Sequence, residues 1–277
     1  GGFAAIKADS VAKTALFIVV SPAAGLLLGA AVMLLLRWAL ARRDVERTER
    51  RFRLLQLASS AAVSLAHGGN DAQKTMGVIA ALLVSSGNLA PLPSGELPIP
   101  TWVVLAAYLA IAAGTMSGGW RIVRTMGHSI TQLRPVSGFA AETAAAVAIF
   151  GSTGIGAPVS TTHTVAGSIT GVGTANRGAT VNWRVFGRLA VAWLVTLPAA
   201  ALVAAVAHQL ATRLPAPIGP IVLTLLMIAL AGGVIGSLRR APRAADLDPG
   251  SEPIEVGLRP GAGSIIAVRS RRTDQPL

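Results

Sequence analysis

The chain has 277 residues, 52% of them hydrophobic and only 13% charged, against about 25% charged in a soluble domain; a soluble globular protein is excluded. Its net charge is +12, but the basic residues, nearly all Arg, cluster between apolar runs rather than along one face. That is the bias of cytoplasmic loops in a membrane protein and argues against a nucleic-acid partner, while the absence of cysteine removes any disulfide framework or thiolate metal site.

Apolar runs at 11–36, 101–119, 189–212 and 217–238 each reach roughly the 20 residues that a bilayer-spanning helix needs. The first is predicted to kink at Pro22 and Gly25. The Arg-rich segment from Arg37 to Arg53, with Asp44, Glu46 and Glu49 among its charges, is placed in the cytoplasm. Residues 54–86 would be about 50 Å long as one helix, too long for one straight span, and they contain His67-Gly68-Gly69-Asn70-Asp71. A helix broken there at membrane depth is expected. Residues 87–100 hold Pro, Gly and Glu96 but no base, as suits the outer face, and 101–119 return inward.

The next loop carries Arg121, Arg124, His128 and Arg134. Residues 138–173 are apolar but interrupted between Gly151 and Ser160, and Arg177, Arg184 and Arg188 follow. Bases on both flanks predict a re-entrant helical hairpin that enters and leaves on the cytoplasmic side. Residues 189–212 cross outward and 217–238 cross back. The expected architecture is all-α: a polytopic transmembrane bundle over 1–238 with one broken helix and one hairpin, then a disordered basic cytoplasmic tail over 239–277. The chain begins with Gly and shows no signal peptide, so an upstream start region is expected.

Ionisable groups inside a bilayer persist where they pair, bind an ion or line a wet cavity. Those within the apolar segments are His67, Asp71, Lys74, Glu142, His163 and His208. In the first cluster Gly68 and Gly69 would free the backbone, and Asn70 and Asp71 would cap a new half-helix. Its N-terminal N–H groups and dipole would attract an anion, with Asp71 available to a cation or proton. The plainer alternative is a capped kink holding an internal Asp71–Lys74 pair. In the second cluster Pro158 ends a helix, Ser160 caps the next, and Thr161 and Thr162 add hydroxyl donors suited to phosphate oxygens; ordinary capping is the plainer reading. Glu142 is either a first-turn acid or a coupling carboxylate. His67 and His163 are candidates for hydrogen bonding or proton relay, with packing as the alternative, and His208 reads as a helix-end residue. Two interrupted helices with polar breaks suit a secondary transporter's anion/cation symport site.

These residues resemble the inorganic phosphate transporter (PiT) family. HGGNDAQKTMG at His67–Gly77 is similar to the glycine–Asn–Asp signature of the family's C-terminal repeat. GFAAET at Gly138–Thr143 is similar to its acidic hairpin entry, and PVSTTH at Pro158–His163 to its hydroxyl signature, followed by GVG at Gly171–Gly173. The resemblance covers roughly residues 11–212. It implies symport of inorganic phosphate with H⁺ or Na⁺ at the cell (inner) membrane, with no other cofactor and no bound metal, by two inverted repeats rocking about one site. By position it assigns Asn70, Asp71, Gln73, Ser160, Thr161 and Thr162 to substrate binding. Asp71, Lys74, Glu142 and His163 fall to coupling, and Lys74 tilts the reading towards protons. Each signature occurs here once, so the N-terminal repeat is expected as a missing partner; assembly as a homo-oligomer is left open. The alternatives are a membrane-embedded phosphatase or metal hydrolase built on His67, Asp71 and His163, and a non-transporting sensor or scaffold subunit.

Overall fold

The computed structural model describes residues 8–94, 96–117, 122–123, 125–176, 179–215 and 218–239. Arg121, Arg124, Arg177, the His128 side chain and the tail expected beyond Arg239 lie outside them. Among the described residues the elements are α1 (Ala8–Leu40), α2 (Val45–Ser85), α3 (Thr101–Ser117), a π turn (Thr125–Ser129), α4 (Pro135–Gly154), α5 (Thr161–Ala175), α6 (Trp183–Arg213) and α7 (Ile218–Arg239). Four of them, α1, α4, α6 and α7, are long and apolar enough to cross a membrane, which makes the chain a multi-pass helical membrane protein.

The centre of the fold is the hairpin α4–α5, held between α1 and α2. Its turn follows from local chemistry. Gly156 takes φ +66, and the N–H groups of Gly156 and Ala157 return to the carbonyls of Thr153 and Ser152, a Schellman closure that requires the left-handed conformation glycine supplies. Pro158 then prevents the helix from resuming, and Ser160 caps α5 through the His163 N–H. The hairpin returns to the side it started from. Arg37 Nη1 donates to the Ala175 carbonyl at 2.6 Å, and Arg134, just before α4, borders the same cavity as Arg37 and Arg43.

Helices α1 and α5 run parallel along a seam of small residues. Gly25 and Gly29 on α1 face the backbone of Thr164 and Ser168, while Gly167 and Gly171 on α5 face the carbonyls of Pro22 and Leu26. A Cβ at any of the four would overlap a carbonyl oxygen. Each pair is spaced i, i+4, so both glycines lie on one helix face and the two backbones meet, as small-xxx-small motifs allow. Gly25 therefore serves packing, and α1 runs unbroken past Pro22.

On the other side α2 runs parallel to α4, with Phe52 edge-on to Phe139 at 5.1 Å. Ala72 and Met76 of α2 pack on Val103 and Ala107 of α3. Trp193 of α6 joins the core with Ala166, Ile169 and Val172. Otherwise α6 and α7 turn apolar faces outward, with only 6% of each span buried, as a lipid contact permits.

The break expected in α2 is absent: the helix continues from Val45 to Ser85 through His67–Gly77. Glycine permits a break without forcing one, and both proposed caps are engaged elsewhere. The Asn70 side chain donates to the Val159 carbonyl at 3.2 Å, and the Asp71 carboxylate is taken by Lys74 and Thr161. Neither side chain is left to compete for the local backbone, which is how such residues end helices.

Candidate functional site

His67, Asn70, Asp71 and Lys74 stand at i, i+3, i+4 and i+7, so one face of α2 carries all four. That face meets the turn Val159–Thr161 where α5 begins. Thr161 is the hinge of the arrangement. Its hydroxyl donates to Asp71 Oδ2 at 3.3 Å and lies 2.9 Å from His67 Nδ1, which serves as the donor when the hydroxyl proton points to Asp71. His67 Nδ1 is also 3.3 Å from Asp71 Oδ2. Lys74 Nζ sits 2.9 Å from Asp71 Oδ1 and 3.4 Å from the Val159 carbonyl. The internal Asp71–Lys74 pair is thus present, within a larger network.

The hydroxyl side is anchored from α1. Ser21, 1% exposed, accepts the Ser160 N–H at 3.4 Å. The N-terminus of α5, with its unspent N–H groups and positive dipole end, is therefore fixed against the Asp71 carboxylate and the Lys74 ammonium. The site offers hydroxyl and amide donors for an oxyanion, together with a carboxylate that can take a proton or a cation. His67, Asp71 and Lys74 keep 44%, 30% and 55% of their side chains exposed, so the network opens outward from the hairpin.

Not every residue singled out in the sequence converges here. Gln73 is exposed and borders a separate cavity of about 430 Å³ between α2, α3 and α4, with Asn70, Tyr108 and Phe150 among its neighbours. Thr162 is exposed on the opposite side of α5 from the seam. Glu142 accepts from Ser59 and from Ser60 at 2.8 Å, about 17 Å along α2 from Asp71 at 1.5 Å per residue. His163 stacks on Trp193, with ring centroids 4.2 Å apart. Its ring reaches the backbone of Ile18, whose carbonyl Pro22 leaves without a helical donor, and its Nδ1 is buried without a partner. His208 of α6 is remote from these contacts. The residues that sequence reasoning passed over are Ser21, Ser59, Ser60 and Trp193. A serine one residue before an intrahelical proline and a Ser-Ser pair inside an apolar run were the signals available.

The phosphate transporter family matches residues 1–204. The chain belongs to that family. Among its relatives, a probable low-affinity inorganic phosphate transporter of Rhizobium meliloti (strain 1021) is 48% identical over 207 residues, covering 75% of this chain and 61% of the relative. One with the same description from Mycobacterium bovis is 45% identical over 197 residues, 71% of this chain and 46% of the relative. A solved structure, titled the sodium-dependent phosphate transporter, matches with a TM-score of 0.50 and 26% identity over 67% of this chain and 54% of that one. The chain spans less than two thirds of the length of these relatives. All three residue signatures fall inside the matched region of this phosphate transporter family member, whereas α7 falls beyond it.

Proposed function

We propose that this chain supplies one half of the substrate path of a secondary transporter that moves inorganic phosphate across the cell membrane by symport. The observation that carries the reading is the Thr161 hydroxyl held between His67 and Asp71 at the start of α5. It sets oxyanion donors directly beside a titratable carboxylate, so anion and cation binding can reinforce each other electrostatically. Protons are the coupling ion in this reading, because the Lys74 ammonium already sits on Asp71 at 2.9 Å, where a sodium ion would compete with it. The neighbour titled sodium-dependent keeps Na⁺ as the alternative. Gln73, Thr162, Glu142 and His163 act at one remove, Glu142 by holding α4 to α2 and His163 by seating the hairpin on α6.

Partly exposed charges are costly in hydrocarbon, by about 2.5 kcal/mol or more each, so the open face of α2 requires a polar cover. A second, N-terminal repeat is the cover we assign, with the inner membrane as the site of action and residues 239–277 as a cytoplasmic tail. The hydrolase alternative is not favoured: the family is one of transporters, and His163 makes no hydrogen bond to the α2 cluster. The test is labelled phosphate uptake into proteoliposomes containing the full-length protein. Asp71→Asn and Ser160→Ala should each abolish uptake while membrane insertion is kept; normal uptake in both defeats the assignment. Uptake driven by a pH gradient without sodium decides the coupling ion.

A further inference from the structure

A second polar cavity, of about 730 Å³, lies at the Arg-rich end of the bundle, well away from the α2 cluster. Three separate segments line it with one Arg each: Arg37 at the end of α1, Arg43 in the following turn, and Arg134 before α4. Among the described residues the only contacts of a carboxylate with a basic side chain within 4.0 Å are those of Asp71 with Lys74 and with the His67 ring, so none of these three Arg is matched to a carboxylate. Arg37 spends one donor on the Ala175 carbonyl and keeps the others. The start of α4, at Val136 and Ser137, also borders the cavity and adds its positive dipole end. Among the described residues Glu49 is the single acid in the wall, and its Oε2 is buried without a hydrogen-bond partner. A buried acceptor of that kind calls for a donor.

Three Arg side chains without a carboxylate partner among the described residues favour an oxyanion, and one orphaned carboxylate oxygen favours an oxyanion that carries its own hydroxyl hydrogen. We propose that this cavity is a second anion site, which takes a protonated phosphate group with Arg37, Arg43 and Arg134 as donors and Glu49 as acceptor of the ligand hydroxyl. Two sources share that chemistry: free hydrogen phosphate, and an anionic phospholipid headgroup bearing hydroxyls, for which basic clefts between membrane helices are suited. Fully ionised sulfate has the charge but no hydrogen for Glu49.

The experiment uses the purified full chain. Inorganic phosphate and sulfate are titrated in lipid-free detergent in a Ser160→Ala background, which weakens the α2–α5 site, and retention of phosphatidylglycerol against phosphatidylcholine is measured in parallel by native mass spectrometry. The double variant Arg43→Gln/Arg134→Gln should lower affinity at least about tenfold, the loss expected when charge-assisted hydrogen bonds are removed. Arg37 is left intact because it also ties α5 to α1. Glu49→Gln should erase the preference for phosphate over sulfate while keeping anion binding. Loss in the detergent titration assigns free phosphate, and loss of phosphatidylglycerol retention assigns the lipid; either supports the site. Unchanged binding of both ligands in the double variant overturns it, as does an unchanged phosphate preference in Glu49→Gln.

Discussion

The hairpin α4–α5 meets its neighbours in two opposite ways. Along α1 the contact is dry and backbone-to-backbone, with Gly25, Gly29, Gly167 and Gly171 leaving no room for a methyl group. At its tip, against α2, the contact consists of charged and hydroxyl groups that remain partly open. In the first region close packing fixes position, since van der Waals contact and not water exclusion holds membrane helices together. In the second, incomplete burial leaves capacity for a ligand. The transport site proposed above has to release what it binds and so cannot be packed like the seam, and the seam supplies the rigidity that the junction lacks.

Variants that exchange the character of the two regions sharpen this contrast. The largest effect is expected at the seam. Gly167→Val or Gly171→Val places a branched side chain against a carbonyl that cannot move without its whole helix, so the loss should reach or pass the upper end of the ~1–3 kcal/mol typical of overpacking. Thermal unfolding in detergent and the yield of monodisperse protein are the readouts, with little folded protein expected. At the tip, Asp71→Asn should leave both readouts near the parent values while phosphate uptake disappears. A stability collapse there equal to that at the seam would mean that the cluster is structural.

A smaller effect is expected at Glu142. Glu142→Gln keeps one acceptor for Ser59 or Ser60 and removes the charge, so a destabilisation of about 1–2 kcal/mol and a partial fall in uptake should be seen, with no change in the ion that drives uptake. The smallest effect is expected at Gly69, where a Cβ would meet nothing within 4 Å. Gly69→Ala should stabilise the protein by roughly 0.5–1 kcal/mol through helix propensity. Destabilisation there would show that α2 has to bend.

Much of this was legible in the sequence. The long apolar helices α1, α6 and α7 follow from run length, and the hairpin follows from the interruption between Gly151 and Ser160 and from Pro158, whereas the run at 101–119 gives a helix of only 17 residues, shorter than the four candidate spans. The polar residues of the site stood out because they interrupt apolar runs. The break in α2 was misjudged because glycine and capping residues indicate what a backbone can do, whereas the outcome depended on tertiary partners: Val159 for Asn70 and Thr161 for Asp71. The spacing of 67, 70, 71 and 74 already marked a single helix face. The two Gly-xxx-Gly pairs were visible too, but nothing local shows that they face each other. Glu142 and His163 share signatures with site residues, yet the fold sends one to Ser59 and Ser60 and the other to Trp193.

Thr161→Val tests the central claim most directly. It removes the hydroxyl that His67 and Asp71 share, at nearly constant volume and at a residue that is only 3% exposed. In proteoliposomes of the full-length protein, labelled phosphate uptake should fall to background while the unfolding temperature stays close to that of the parent. Uptake at the parental rate in this variant would contradict the assignment of the α2–α5 junction as the phosphate site.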